Sequence, residues 1–184
     1  TPYKDLFSED FILPAGNLRE SRSGSKRADI IVVTKCPKDL SEEKQLNIKS
    51  KLKLEEGQEL FLSYIDYSER IEHLDTSLEI KNLRGKRFLL VTGIANPKPL
   101  LEYLKKCGLN FEHRQFPDHH NFTAGDVESL GSDSNILTTE KDYMRLKNKL
   151  RREVLFYLPM KIRFLSVQEK VEFDREVKDY ITKK

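Results

Sequence analysis

Four short polar segments hold the residue types that handle phosphates, metal ions or protons. In Leu13-Pro14-Ala15-Gly16-Asn17-Leu18-Arg19-Glu20, Gly16 permits a tight turn or a close backbone approach. Arg19 offers a guanidinium fork for a phosphate, and Glu20 offers a hard carboxylate for a cation such as Mg²⁺. A solvated ion pair in a loop has the same composition. In Gly93-Ile94-Ala95-Asn96-Pro97, a glycine turn leads into a helix start, where backbone amides attract anions. An ordinary strand-to-helix connection looks the same. Phe116-Pro117-Asp118-His119-His120 sets a carboxylate beside two imidazoles. Histidine exchanges protons near neutral pH, and aspartate orients it or binds metal. Thr138-Thr139-Glu140-Lys141-Asp142 has the hydroxyls and carboxylates of a helix cap, with Lys141 available to a phosphate.

One absence weighs as much as these motifs. No G-x-x-x-x-G-K-[ST] run occurs, and the eight glycines are never closer than six residues apart. The chain therefore carries no backbone cradle for a triphosphate. G-x-S-x-G, H-E-x-x-H and C-x-x-C are missing as well.

The elements that position these motifs come from a chain of 184 residues, 38% apolar and 34% charged, a globular composition. The 33 Lys and Arg against 30 Asp and Glu leave a net charge of +3, which does not call for a nucleic-acid partner. Cys36 and Cys107 fit neither a disulfide scaffold nor a zinc cage and read as reduced, buried, cytosolic thiols. No apolar run approaches the roughly 20 residues of a membrane helix, and no signal-peptide pattern is seen. The first residue is Thr1, which suggests a piece of something longer.

Short apolar runs alternate with helical patterns. Phe11–Leu13 is expected to be a strand ending in a turn. Ile30–Val33 and Phe88–Thr92 are continuous apolar runs, as in strands covered on both faces. Residues 41–54 form a charged helix and Glu59–Tyr67 a strand, while the stretch 68–84 is ambiguous, with room for a strand at Leu78–Ile80. Asn96 suits an N-cap, Pro97 a first helical position, and Gly108 the left-handed C-terminal position after Leu100, Leu101 and Leu104. Phe111–Phe116, Asn135–Thr138 and Val154–Leu158 are further strands. Thr123 with Asp126, and Ser166 with Glu169, have capping-box spacing. The last helix is expected over about 166–182 and bears Val167, Val171, Val177 and Ile181. Alternation at this spacing implies an α/β fold with a mostly parallel, Rossmann-like sheet flanked by helices, all in one domain over 1–184. Ligands in such folds sit beyond the carboxyl ends of the strands. Glu20, Asn96 and His119 are each expected just after a strand, and so together on one edge of the sheet near the carboxyl ends.

Taken in order, L-P-A-G-N-L-R-E, V-T-G-I-A-N-P, F-P-D-H-H-x-F-T and T-T-E-K-D, together with K-R-A-D-I-I-V-V-T-K at Lys26–Lys35, resemble the tetraacyldisaccharide 4'-kinase family of lipid A synthesis. The resemblance runs from about Phe11 to Pro159. It implies a P-loop kinase that moves the γ-phosphate of ATP, with Mg²⁺, onto a sugar hydroxyl of a lipid A precursor disaccharide. Such a kinase works at the cytoplasmic face of the inner membrane. The family's P-loop, base aspartate, Walker B pair and membrane-contacting helix lie in an N-terminal half that this sequence does not show. By resemblance, His119 assists the base aspartate and Asp118 positions its loop. Glu20 is a Mg²⁺-associated ligand beside Arg19. Arg19, Asn96 and Lys141 are assigned to the nucleotide. No role follows for His120, Glu140 or Asp142. Without its P-loop partner the chain is expected to be inactive.

Two readings of other classes stand beside this one. Asp118-His119-His120 is superficially similar to the DHH phosphoesterases, which need further upstream aspartates not found here. A non-catalytic binding module is the other.

Overall fold

The computed structural model describes residues 1–73, 76–131, 135–150 and 154–182. Among them lie nine strands: β1 (Ile30–Val33), β2 (Glu59–Tyr67), β3 (Arg70–His73), β4 (Thr76–Glu79), β5 (Phe88–Thr92), β6 (Phe111–Gln115), β7 (Ile136–Thr139), β8 (Leu155–Leu158) and β9 (Met160–Phe164). The α-helices are α1 (Glu42–Leu52), α2 (Lys98–Lys106), α3 (Ala124–Leu130), α4 (Glu140–Leu146) and α5 (Val167–Thr182). The fold is α/β, with mixed sheets flanked by helices. The chain folds into two compact units, Thr1–Asp66 with Ile162–Lys184, and Tyr67–Lys161.

The first unit is built on the sheet β1-β2-β9, with β1 and β2 parallel. Ile31 and Val33 point to a core shared with Leu62 and with Ile48 and Leu52 of α1. Ile30 and Val32 stay half-buried, so β1, an outer strand of its sheet, alternates instead of being covered on both faces. On the opposite face Phe61 meets Phe164 and Phe173 edge-on, at ring distances of 6.0 and 5.3 Å. Helix α5 opens with the expected reciprocal cap: the Glu169 amide donates to Ser166 Oγ at 3.0 Å, and the Ser166 amide to Glu169 at 3.3 Å. Val167, Val171 and Ile181 on that helix are exposed.

Phe11–Leu13 is not a strand. Ile12 makes one isolated bridge, to Leu18. Asp10 Oδ1 accepts the amides of Phe11 and Asn17 at 2.8 and 3.1 Å. The Leu13 amide donates to Leu18 O at 2.9 Å, and the Leu18 amide to Phe11 O at 3.0 Å. Backbone groups that pair inside their own loop need no neighbouring strand.

The second unit is a six-stranded sheet in the order β4-β3-β8-β7-β5-β6. Strands β8, β7, β5 and β6 run parallel, and β3 is antiparallel to both β8 and β4. β5 is buried along its whole length, as its continuous apolar run implies. Phe88 and Leu90 face α2 residues Leu100 and Leu104, while Leu89 and Val91 face Leu130 of α3 and Leu146 of α4. A side chain such as Leu90, with no exposed surface, contributes about 1.5–3 kcal/mol by leaving water.

Helix α2 ends in a Schellman turn, with Gly108 at φ +74°. The Leu109 amide reaches back to Leu104 O at 3.2 Å and the Gly108 amide to Lys105 O at 2.9 Å, which is the paired bonding of that motif. The ambiguous stretch resolves into β3, β4 and a 3₁₀ turn over Ile80–Leu83, so the expected strand starts and ends earlier than Leu78–Ile80. Strand β9 has no counterpart among the strands expected from the sequence. Cys36 is buried and Cys107 half-buried, both free; burial pushes the Cys36 thiol up. Among the described residues, no helix is long and apolar enough to cross a membrane.

Candidate functional site

In the second unit the chain leaves β5 through α2 to β6 on one side, and later returns to β7 on the other. The winding therefore reverses at β5, and the loops beyond its carboxyl end flank a crevice. Three of the four motifs lie there: Gly93–Pro97 after β5, Pro117–His120 after β6, and Thr139–Asp142 at the end of β7.

A buried carboxylate joins them. Asp142 has no exposed surface. Its Oδ2 accepts the Gly93 amide and the Thr139 hydroxyl, both at 2.8 Å. Thr139 in return caps α4 by accepting the Asp142 amide at 3.2 Å. The anion that meets the Gly93 amide is thus this chain's own carboxylate. Asn96 stays exposed and accepts the Lys98 amide at 3.2 Å. The helix cap falls one residue later than expected, at Pro97, whose carbonyl accepts the Leu101 amide at 3.0 Å and whose own dihedrals are already helical.

Asp118 and His119 are held from two sides. His119 takes a left-handed backbone, φ +60°, a conformation histidine, asparagine and aspartate tolerate better than most residues. Its amide donates to Asp118 Oδ1 at 3.0 Å and to Gly93 O at 3.3 Å. Lys141 Nζ donates to Asp118 Oδ1 at 2.9 Å. That bond, above the other causes, holds the Asp118 carboxyl below its usual range. Both partners are exposed, so solvent screens the pair and it adds little to stability. Lys141 is therefore engaged by a motif residue. Arg145, one turn further along α4, lies with Nη2 3.3 Å from His119 Nδ1 and Nη1 3.7 Å from Asp142 Oδ1. The sequence motifs do not include Arg145. The signal that points to it is its i, i+3 spacing from Asp142.

His120 turns the other way. Its ring stacks on Phe116 at 4.8 Å and meets Phe122 edge-on. Nε2 donates to Asp126 Oδ2 at 2.9 Å. Asp126 also closes the capping box with Thr123 at the start of α3. The Thr123 amide first, then His120, pull the Asp126 carboxyl down to about 2. His120 thus fastens the loop to α3, away from the Asp118–His119 step.

In the first unit, Arg19 and Glu20 lie in the exposed loop before a 3₁₀ turn at Arg22–Arg27. Phe7, Leu18, Arg19, Glu20, Arg22 and Ser25 line one shallow cleft. Glu20 Oε2 is 3.4 Å from Arg27 Nη2, and Arg22 covers the Phe11 ring at 4.8 Å. Gly16 bears out its close approach, since an added Cβ would sit 2.3 Å from Asp10 Oδ1 and 2.4 Å from Phe11 O. No three His, Cys, Asp or Glu side chains gather as a metal cage among the described residues. Magnesium commonly takes one or two protein carboxylates and completes its shell with phosphate oxygens and water, and a single Glu20 is compatible with that habit.

Polar loops gathered where the parallel strands of this sheet reverse their winding define a doubly wound α/β unit. The chain belongs to the tetraacyldisaccharide-1-P 4'-kinase family, whose model matches residues 2–181. The tetraacyldisaccharide 4'-kinase of Flavobacterium johnsoniae is 50% identical over 98% of this chain and 53% of its own length. That of Flavobacterium psychrophilum is 42% identical over the same shares. The chain thus spans about half the length of these curated relatives. Among solved structures, the "apo" form of LpxK from Aquifex aeolicus, in complex with ATP, superposes with a TM-score of 0.61. It covers 93% of this chain and 48% of the other at 24% identity, a likeness of fold. The DHH phosphoesterase reading finds no support in these matches.

Proposed function

We propose that this chain is the C-terminal part of a tetraacyldisaccharide 4'-kinase and supplies the Asp118–His119 step to its phosphoryl-transfer site. One observation carries this reading: within a chain that matches the family over 2–181, His119 stands 72% exposed at the sheet's carboxyl edge while its backbone is pinned by two hydrogen bonds. Phosphoryl transfer asks the protein for positioning and charge neutralisation more than for covalent chemistry. Asp118 and Lys141 fix the loop, and His119 presents its ring to the base that activates the acceptor hydroxyl. Arg19, Asn96 and Lys141 contact the nucleotide, Lys141 by exchanging Asp118 for a phosphate. Glu20 supplies a carboxylate to Mg²⁺, which neutralises charge on the phosphates when bound. The substrates are ATP and a tetraacylated disaccharide 1-phosphate. The remaining partners are a P-loop lobe and the inner membrane surface on its cytoplasmic side, with no nucleic acid.

The test is transfer of labelled γ-phosphate to the lipid acceptor. A protein of the relatives' full length carrying this chain should transfer it. His119→Ala should lower kcat by roughly 10²–10³-fold, the cost of removing one hydrogen-bond donor aimed at developing charge, and shift stability by no more than about 1 kcal/mol, as for a residue outside the core. This chain alone, lacking a phosphate-binding loop, should give no transfer. Near wild-type turnover by a normally folded His119→Ala protein would rule the role out.

A further inference from the structure

Arg145 is a side chain that meets the His119 ring. A guanidinium donates hydrogen bonds and accepts none. Its Nη2 therefore donates to His119 Nδ1 at 3.3 Å, and a neutral ring with Nδ1 as acceptor carries its proton on Nε2. That Nε2–H lies 3.7 Å from Asp118 Oδ2, beyond hydrogen-bonding reach, on a side chain that is 72% exposed. Arg145 is itself held. Its Nη1 is buried with no hydrogen-bond partner, as is Asp142 Oδ1, and the two face each other across 3.7 Å. Asp142 cannot drift, because Gly93 and Thr139 grip its other oxygen.

We propose that Arg145, seated on the buried Asp142, is a positioning residue that locks the His119 imidazole with Nδ1 accepting and Nε2–H turned outward. His119 is thereby presented as a hydrogen-bond donor to an oxygen anion, a carboxylate or a phosphate, and not as a carrier of protons. Its use in phosphoryl transfer rests on the function proposed above. The locked ring does not.

Two experiments separate these layers. In this chain labelled with ¹⁵N-histidine, at a pH where the ring is neutral, His119 should show one tautomer, with Nδ1 unprotonated and Nε2 protonated. Arg145→Ala should move both ring nitrogens toward the averaged shifts of a free imidazole, and Arg145→Lys should restore part of the difference. A His119 Nδ1 that carries the proton, or a ring indifferent to Arg145→Ala, overturns the proposal without reference to any activity. In the full-length kinase, Arg145→Ala should lower kcat about 10- to 100-fold, the scale of a misplaced catalytic group, with KM little changed. His119→Gln, whose amide still donates, should keep at least about 10-fold more activity than His119→Ala, as for a retained hydrogen bond of about 1.4 kcal/mol. Equal loss in both His119 variants sinks the donor role. A wild-type full-length protein that transfers no phosphate would remove the proposed function and leave the tautomer result standing.

Discussion

Asp142 receives the Gly93 amide at 2.8 Å, and that bond ties the end of β5 to the first turn of α4. The consequences spread along both segments. Gly93 O accepts the His119 amide, so the loop after β6 is fastened to the same point. Asp142 faces Arg145, and Arg145 reaches the His119 ring. Backbone and side chain of His119 are thus both set through a residue pair 49 positions apart. A polar group this deeply buried is tolerated because its bonds are made inside the protein.

That pair makes a stability prediction with a built-in control. A Cβ at Gly93 would lie 2.9 Å from Asp142 Oδ1 but 3.5 Å from Pro117 O, an ordinary contact. Gly93→Ala should therefore cost about 1–3 kcal/mol, as overpacking does in a full core. Asp142→Ala should cost about 1–3 kcal/mol by leaving the buried Gly93 amide without an acceptor. The double variant should cost less than the sum, by about 0.5–3 kcal/mol, because the carboxylate that clashes is gone. Urea melts of the four proteins decide it, and strict additivity would show that the two sites do not meet.

Gly16 makes a local prediction instead. Its Cβ would overlap Asp10 Oδ1 and the Phe11 backbone, the groups that close the 10–18 loop. Gly16→Ala should open that loop, and the Phe11 and Asn17 amides should lose their protection from hydrogen exchange. The global melt should move by no more than about 1 kcal/mol, since exposed loops open separately from the core. Unchanged exchange at both amides would contradict the packing described.

Much of the scaffold was legible because local geometry sets it. The run Phe88–Thr92 demanded cover on both faces. Gly108 marked a left-handed turn, and the spacings Thr123–Asp126 and Ser166–Glu169 marked two capping boxes. Phe11–Leu13 misled because its backbone closes on Leu18 rather than on a strand, leaving three apolar side chains exposed. Strand β9 escaped because Met160–Phe164 is largely exposed and carries Lys161 and Arg163 within it, so no apolar run announces it. In the candidate site the Asp-His step stood out by composition. Arg145 did not, since its contact with a residue 26 positions away exists only once α4 is packed beside the β6 loop. Asp142 looked like a helix cap, and burial turns it into an anchor.

The His120–Asp126 pair predicts how the fold responds to acid. In the folded chain the Asp126 carboxyl titrates at about 2, against 3.8 for an unperturbed aspartate. The Thr123 amide, His120 and the Thr123 hydroxyl all stabilise its charged form, and unfolding removes all three. As pH falls, the unfolded chain therefore binds this proton before the folded chain does, and protons bound preferentially by the unfolded state erode stability. The contribution is fully present above about pH 4 and is lost between about pH 4 and pH 2. Asp126→Asn keeps an acceptor for the cap but cannot ionise. The variant should be less stable than wild type near neutral pH, and the gap should close on acidification across that window. Asp10, Glu79 and Asp118 are lowered as well, so both proteins retain an acid limb and the difference between them is the quantity to follow. His120→Ala should narrow the gap in the same window by removing one of the three causes, while Thr123 retains the larger share. Melts in urea at half-unit steps from about pH 5 to about pH 2.5 give the curves, a range that spans the ordinary aspartate value. Parallel curves for wild type and Asp126→Asn would mean that the carboxyl gains nothing from its partners in the folded chain.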